Sequence, residues 1–177
     1  MRVDGISKTK YKQIEYCLRP PFTLMWELGF DTGLRISDIL KLTPKKINTK
    51  RPYIVEQKTG KKRRLYIKKD LLYKINTYIE KHHIKPDNRI FDFSRVTAWR
   101  AIKRASQEAG IDLNLGTHTM RKSYCKQYVC RDGKTIKDLS KRLNHSDISE
   151  TVGYLTDNKS LGIKGVTKIW ERLVYYK

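Results

Sequence analysis

Residues 143–155 read LNHSDISETVGYL, and residues 118–121 read HTMR. In the longer stretch, Asn144 can take the left-handed conformation that closes one helix. Ser146 or Asp147 can cap the next. The pattern therefore predicts helix, loop, helix, with His145 in the loop and Tyr154 on the second helix. This layout fixes an imidazole and a phenol relative to each other, nine residues apart in sequence. In the shorter stretch, His118 and Arg121 stand three residues apart, so a helix puts both on one face. A start near Thr117 would add the anion-favouring field of free helical N–H groups.

Outward from these stretches the chain reads as mostly helical. His118–Val129, Ile136–Leu143 and Asp147–Leu155 are predicted helices, and Gly165–Tyr175 is a last one, with Val166, Ile169, Trp170 and Leu173 on its apolar side. Upstream, Val96–Ala109 carries Val96, Trp99, Ile102 and Ala105 at helical steps and stops at Gly110. Leu71–His82 has Leu71, Leu72, Ile75 and Ile79 on one face. The most apolar segment is FTLMWELGF, Phe22–Phe30, a predicted buried helix broken by Asp31-Thr32-Gly33. Tyr11–Leu18 is a shorter helix stopped by Pro20-Pro21. Arg35–Leu42 starts another helix, ended by Pro44. Between them and Leu71, Pro52–Glu56 and Arg64–Ile67 read as strands around a Thr59-Gly60 turn, a β-hairpin. The fold class is mainly α with a small antiparallel β-sheet. Residues 1–177 form a single domain, with residues 1–10 polar and loose and 156–177 a C-terminal tail or helix.

Charge narrows the function. The 39 Lys and Arg outweigh 18 Asp and Glu, a net of +21, which points to a polyanionic partner, with nucleic acid the leading candidate. The excess is concentrated: residues 41–74 hold 13 Lys and Arg against two acidic residues. Cys17, Cys125 and Cys130 have no paired spacing, which argues against a zinc ribbon or a disulfide framework and fits free thiols in a reducing cytoplasm. No apolar run is long enough to span a membrane. His82-His83 lacks a nearby acidic or thiol partner, so no metal site is expected.

Two arginines, two histidines, a lysine and a tyrosine then suggest a chemistry. Attack on a phosphodiester requires fixed positive charge around the pentacoordinate transition state. Arg35 and Arg121 suit that task, because a guanidinium stays charged and offers a fork of donors to two oxygens. Lys58, on the hairpin turn, can reach a groove and protonate a leaving oxygen. Its neighbours Lys61, Lys62, Arg63 and Arg64 would track phosphates without reading sequence.

The blocks TGLRISDILKL around Arg35, QKTGKKRRLYI around Lys58, HTMR, and LNHSDISETVGYL resemble, in order and separation, the catalytic domain of the tyrosine recombinase (phage integrase) family. The resemblance runs from about Phe22 to Tyr154. It implies that Tyr154 is the nucleophile, forming a 3′-phosphotyrosyl bond and freeing a 5′-hydroxyl. It implies that Arg35, Arg121, His118 and His145 activate the phosphate, and that Lys58 is the general acid. Register favours Lys58, although Lys61 is the alternative. Asp38 stands where the family commonly has an acidic residue, an expected orienting group behind the site. Such chemistry needs no cofactor, neither metal nor ATP, and the sequence has no P-loop. Asn144 replaces the family's usual glycine, and Met120 its usual leucine. The residues before Phe22 are too few for the separate core-binding domain that many members carry. The expected partners are double-stranded DNA and, on it, copies of the chain as a homo-tetramer, with a monomer in isolation and residues 156–177 exchanged between protomers or closing their own core.

Two rival functions remain at this level: a type IB topoisomerase-like relaxase, and a DNA-binding regulator with weak catalysis. For any of the three, duplex affinity measured by fluorescence anisotropy should fall linearly on a log–log plot against salt. A flat response would contradict the reading of the basic hairpin.

Overall fold

The computed structural model describes residues 4–130, 134–145 and 147–156. Local chemistry sets where its elements begin and end. Helix α1, Lys8–Cys17, starts where the Ser7 side chain accepts from the Lys10 N–H. Helix α2, Phe22–Thr32, ends at Gly33, whose φ of 64° is left-handed. Two short helices follow, α3 at Ile36–Ile39 and α4 at Pro44–Ile47. Strands β1, Tyr53–Val55, and β2, Lys62–Arg64, form an antiparallel hairpin in which Ile54 faces Arg63. Helices α5, Lys69–Lys81, and α6, Arg95–Glu108, come next. The latter is capped by the Ser94 hydroxyl, which accepts from the Thr97 N–H. The chain then runs through α7 at Thr117–Cys130, α8 at Ile136–Leu143 and α9 at Ile148–Thr156. A reciprocal capping box between Thr135 and Asp138 starts α8, and Asn144, at φ 60°, closes it in the left-handed conformation.

Helix α7 is the hub. It packs against α2, α6, α8 and α9, so it touches both hydrophobic clusters. The larger cluster contains Met25, Trp26, Leu28, Ile39, Leu42, Ile75, Phe91 and Ile102, all fully or almost fully buried. Each such side chain contributes about 1.5–3 kcal/mol on burial. The smaller cluster joins Tyr124, Cys125 and Val129 to Leu139, Leu143 and Leu155. Burial pushes the Cys125 thiol up to about 12, so it serves as an uncharged packer. The α2–α7 contact is close: a Cβ on Gly29 would collide with the Met120 side chain.

Several expectations change. Residues 4–10 are pinned rather than loose: Ile6 is buried, its N–H donates to the Ser123 hydroxyl, and Lys8–Lys10 belong to α1. Pro44 opens a helix instead of ending one, because its fixed φ and missing N–H suit a first turn. The second strand lies at Lys62–Arg64, earlier than Arg64–Ile67. Val96 and Trp99 are exposed, so the buried face of α6 is carried by Ala98, Ile102 and Ala105. The helix expected at 165–175 and the tail from residue 157 lie outside the described residues.

Gly33 meets two constraints together. Its φ is left-handed, and a Cβ there would collide with the Tyr124 ring. Gly33→Ala should therefore cost more than about 1 kcal/mol. Urea unfolding would show it as a lower midpoint with an unchanged slope, and an unchanged midpoint would contradict this account of the α2–α7 junction.

Candidate active site

Arg121 lies at the centre of the site and is wholly buried. It projects from the start of the second turn of α7 towards the end of α2 and the end of α8. Its Nη1 donates to the Gly33 carbonyl at 2.8 Å. Its Nη2 donates to the Leu143 carbonyl at 3.5 Å and lies 2.9 Å from His145 Nε2. One guanidinium thus bonds both helix ends that precede functional residues, Arg35 after α2 and His145 after α8.

His145 sits in the α8–α9 loop because Asn144 turns the chain there. Asn144 also donates through Nδ2 to the Lys62 carbonyl at 3.1 Å, which ties this loop to the hairpin. The far ring nitrogen of His145, Nδ1, lies 2.7 Å from Thr151 Oγ1. Asp147 holds the start of α9, accepting from the Ser149 N–H at 2.9 Å. The Tyr154 ring on α9 stacks on His145 at 5.7 Å between centroids and 17° between planes. The same ring lies 5.4 Å from the Arg121 guanidinium carbon. Burial, then the charges of Arg121 and Arg35, lowers the His145 pKa to about 4, so the ring is neutral at pH 7.

Arg35 stands at the N-terminal end of α3 and is also nearly buried. Its Nη1 donates to Glu56 Oε2 at 3.1 Å. Glu56 is fully buried at the end of β1 and also accepts from Arg63 Nη1 at 3.4 Å and from the Thr59 hydroxyl at 3.1 Å. Asp38, expected behind the site, accepts from the Gln57 N–H at 2.9 Å. Burial first, and the nearby Glu56 charge as well, raises its pKa. Together Asp38 and Glu56 hold Gln57 and Thr59, the residues on either side of Lys58. Lys58 itself is exposed on the turn, and Gly60 closes that turn at φ 66°. His118, in the first turn of α7, is exposed at the surface. Partial burial and the charges of Arg121 and Arg35 lower its pKa. A cleft of about 340 Å³ opens beside it, lined by Arg95, Val96, Trp99, Gly116 and Thr117.

Arg121, His145 and Tyr154 are therefore in direct contact, and Arg35 joins them through the buried Glu56 and the hairpin. One expected phosphate-tracking residue is corrected. Lys61, Lys62 and Arg64 are exposed, but Arg63 points inward, ion-paired to Glu56 and bonded to the Thr32 carbonyl. Burial beside Arg121 pulls its pKa down to about 10, so it stays charged at neutral pH. Strand alternation explains the inversion: Arg63 and Leu65 face in while Lys62, Arg64 and Tyr66 face out. Glu56, two residues from the buried Ile54, is legible by the same period. Thr151 was missed, although its place three residues before Tyr154 puts the two on adjoining helical positions.

The neutral His145 has a consequence for stability. Its folded pKa of about 4 lies below its ordinary 6.5, so the unfolded chain takes up this proton first as the pH falls. The contribution is complete above pH 6.5 and is lost on the way down to about 4. His145→Gln removes it, while the titrations of His118 and Asp38 remain in both proteins. The gap in urea midpoint between wild type and variant should therefore narrow from pH 7 to pH 4; a constant gap would contradict a neutral, buried ring.

The fold and sequence have clear relatives. The probable integrase/recombinase YoeC of Bacillus subtilis is 34% identical over 135 residues, 72% of this chain and 72% of that protein. The chain spans about half the length of other curated tyrosine recombinases that it matches. The XerA recombinase crystal structure superposes with a TM-score of 0.76 at 18% identity, covering 98% of this chain and 66% of that one. A lambda integrase tetramer bound to a Holliday junction gives 0.71 at 18%, covering 92% and 50%. Residues 9–160, which hold all six residues of the candidate site, match the phage integrase family, and the chain belongs to that family.

Proposed function

We propose that this chain cleaves and rejoins DNA strands site-specifically through a covalent 3′-phosphotyrosyl link made by Tyr154. The observation that carries the proposal is the contact of the Tyr154 ring with both His145 and the Arg121 guanidinium. Family membership and the DNA-bound lambda integrase support it.

In the proposed reaction the Tyr154 phenol oxygen attacks the scissile phosphorus, its proton passing to water, as the bond to the 5′-oxygen breaks. Arg121 and Arg35 supply charge to the non-bridging oxygens. Losing one well-placed donor of this kind costs about 2.7–4 kcal/mol of barrier in studied enzymes. His118, at the surface end of the site, faces the same anion. Lys58 gives its proton to the departing 5′-oxygen. Rejoining reverses these steps: a 5′-hydroxyl attacks the phosphotyrosyl ester and the phenol leaves. The ester conserves the free energy of the broken bond, so the cycle balances without a nucleotide.

The exposed Lys61, Lys62 and Arg64 flank the turn and would follow the phosphate backbone. A site split between two DNA duplexes requires more than one copy of the chain, and we assign a DNA-bound tetramer as the working assembly. Among the described residues no helix is long and apolar enough to cross a membrane.

A nicked suicide duplex carrying the recognised site tests the proposal. Wild type should give an SDS-resistant protein–DNA adduct, and Tyr154→Phe should give none while retaining its affinity for the duplex. Equal adduct from both proteins would refute Tyr154 as the nucleophile.

A further inference from the structure

We propose that Thr151 is a positioning residue that, together with Arg121, sets which nitrogen of His145 carries the proton, making His145 a hydrogen-bond acceptor on the side of the ring that faces the site. The proposal rests on His145 belonging to the functional site. Its evidence is geometric. Arg121 Nη2 lies 2.9 Å from His145 Nε2. A guanidinium only donates, so Nε2 must present its lone pair. The proton of the neutral ring is then on Nδ1, and its neighbour is Thr151 Oγ1 at 2.7 Å. A hydroxyl oxygen accepts such a proton well. Thr151 is fully buried, so neither water nor a mobile side chain replaces it.

The charges around the ring agree with a neutral imidazole. Arg121 on α7, Arg35 before α3 and Arg63 on β2 disfavour the imidazolium, as does burial. Glu56 at the end of β1 opposes them, and Glu150 on α9 approaches Nε2 only to 3.9 Å. Thr151 and Tyr154 share α9 one turn apart, so the residue that orients the histidine is rigidly linked to the tyrosine stacked on it. When a phosphate oxygen accepts the hydrogen bond from Arg121 Nη2, the Nε2 lone pair is released in the site. His145 is thereby an acceptor beside Tyr154, a different part from that of a donor to the phosphate.

The test is the tautomer itself. Histidine-selective ¹⁵N labelling and long-range proton–nitrogen correlation at pH 7, without DNA, would report each ring, with His145→Gln identifying the signal. Wild type should show Nδ1 protonated and Nε2 bare, Thr151→Ser should keep that pattern, and Thr151→Val should lose it. On the suicide duplex, Thr151→Val should cleave about tenfold more slowly at unchanged duplex affinity, the low end of the cost seen when a metal-bound histidine loses its orienting partner, with Thr151→Ser close to wild type. A wild-type ring protonated at Nε2, or an unaltered pattern in Thr151→Val, would overturn the assignment. A wild-type ring protonated at Nε2 overturns the assignment whatever the variants do, and Thr151→Ala replaces the valine variant should that fail to fold. Because the spectra need no DNA, a protein that shows the tautomer yet cleaves nothing would contradict the functional reading and not this one.

Discussion

The hydrogen bonds of one buried guanidinium organise this site. Arg121 spans from the Gly33 carbonyl at the end of α2 to the Leu143 carbonyl and His145 beyond α8. Burying a charge is costly unless hydrogen bonds offset it, and among the described residues the Arg121 Nε–H has no partner, so the acceptors of Nη1 and Nη2 are under strong constraint. Gly33 must adopt a left-handed turn to offer its carbonyl, and Asn144 must do the same to bring His145 round. The backbone on both sides of the site is thus shaped by what Arg121 requires. The residue best suited to hold a phosphate is also the one that holds the site together.

Electrostatic balance is the second layer. Arg35, Arg63 and Arg121 crowd a buried region, and the buried carboxylate of Glu56 pairs with two of them. Removing one partner of such a pair costs about 3–5 kcal/mol, because the charge left behind stays buried. Glu56 also holds the Thr59 hydroxyl, while Asp38 holds the Gln57 N–H. The turn that carries Lys58 is therefore anchored from inside, even though Lys58 itself is exposed. The hairpin joins the histidine loop through the Asn144–Lys62 bond and through Arg142, whose guanidinium lies 3.9 Å from the Tyr66 ring centre. Outside this interior the excess positive charge faces solvent, where a polyanion can meet it.

Much of this was legible in the sequence, for identifiable reasons. The long helices followed from apolar periodicity, and the α8–loop–α9 layout followed from Asn144 and the capping chemistry of Asp147. The inward turn of Arg63 did not, because a run of four basic residues reads as surface when its strand period is ignored. Val96 and Trp99 fit a helical stripe, yet burial on α6 follows Ala98, Ile102 and Ala105, where small side chains allow close packing. Pro44 ended a helix by rule and began one in fact, because the same missing N–H suits a first turn as well as a stop. Thr151 is an ordinary residue locally, and the strand period shows only that Glu56 faces inward; tertiary contact gives both their roles.

The central claim is that the pocket built around Arg121 presents Tyr154, and no other tyrosine, to the scissile phosphate. Mass mapping of the covalent adduct tests this most directly. After nuclease trimming and tryptic digestion, the nucleotide mass should sit on the peptide spanning residues 143–159, in which Tyr154 is the only tyrosine. A nucleotide mass on any other tyrosine-bearing peptide would contradict the account.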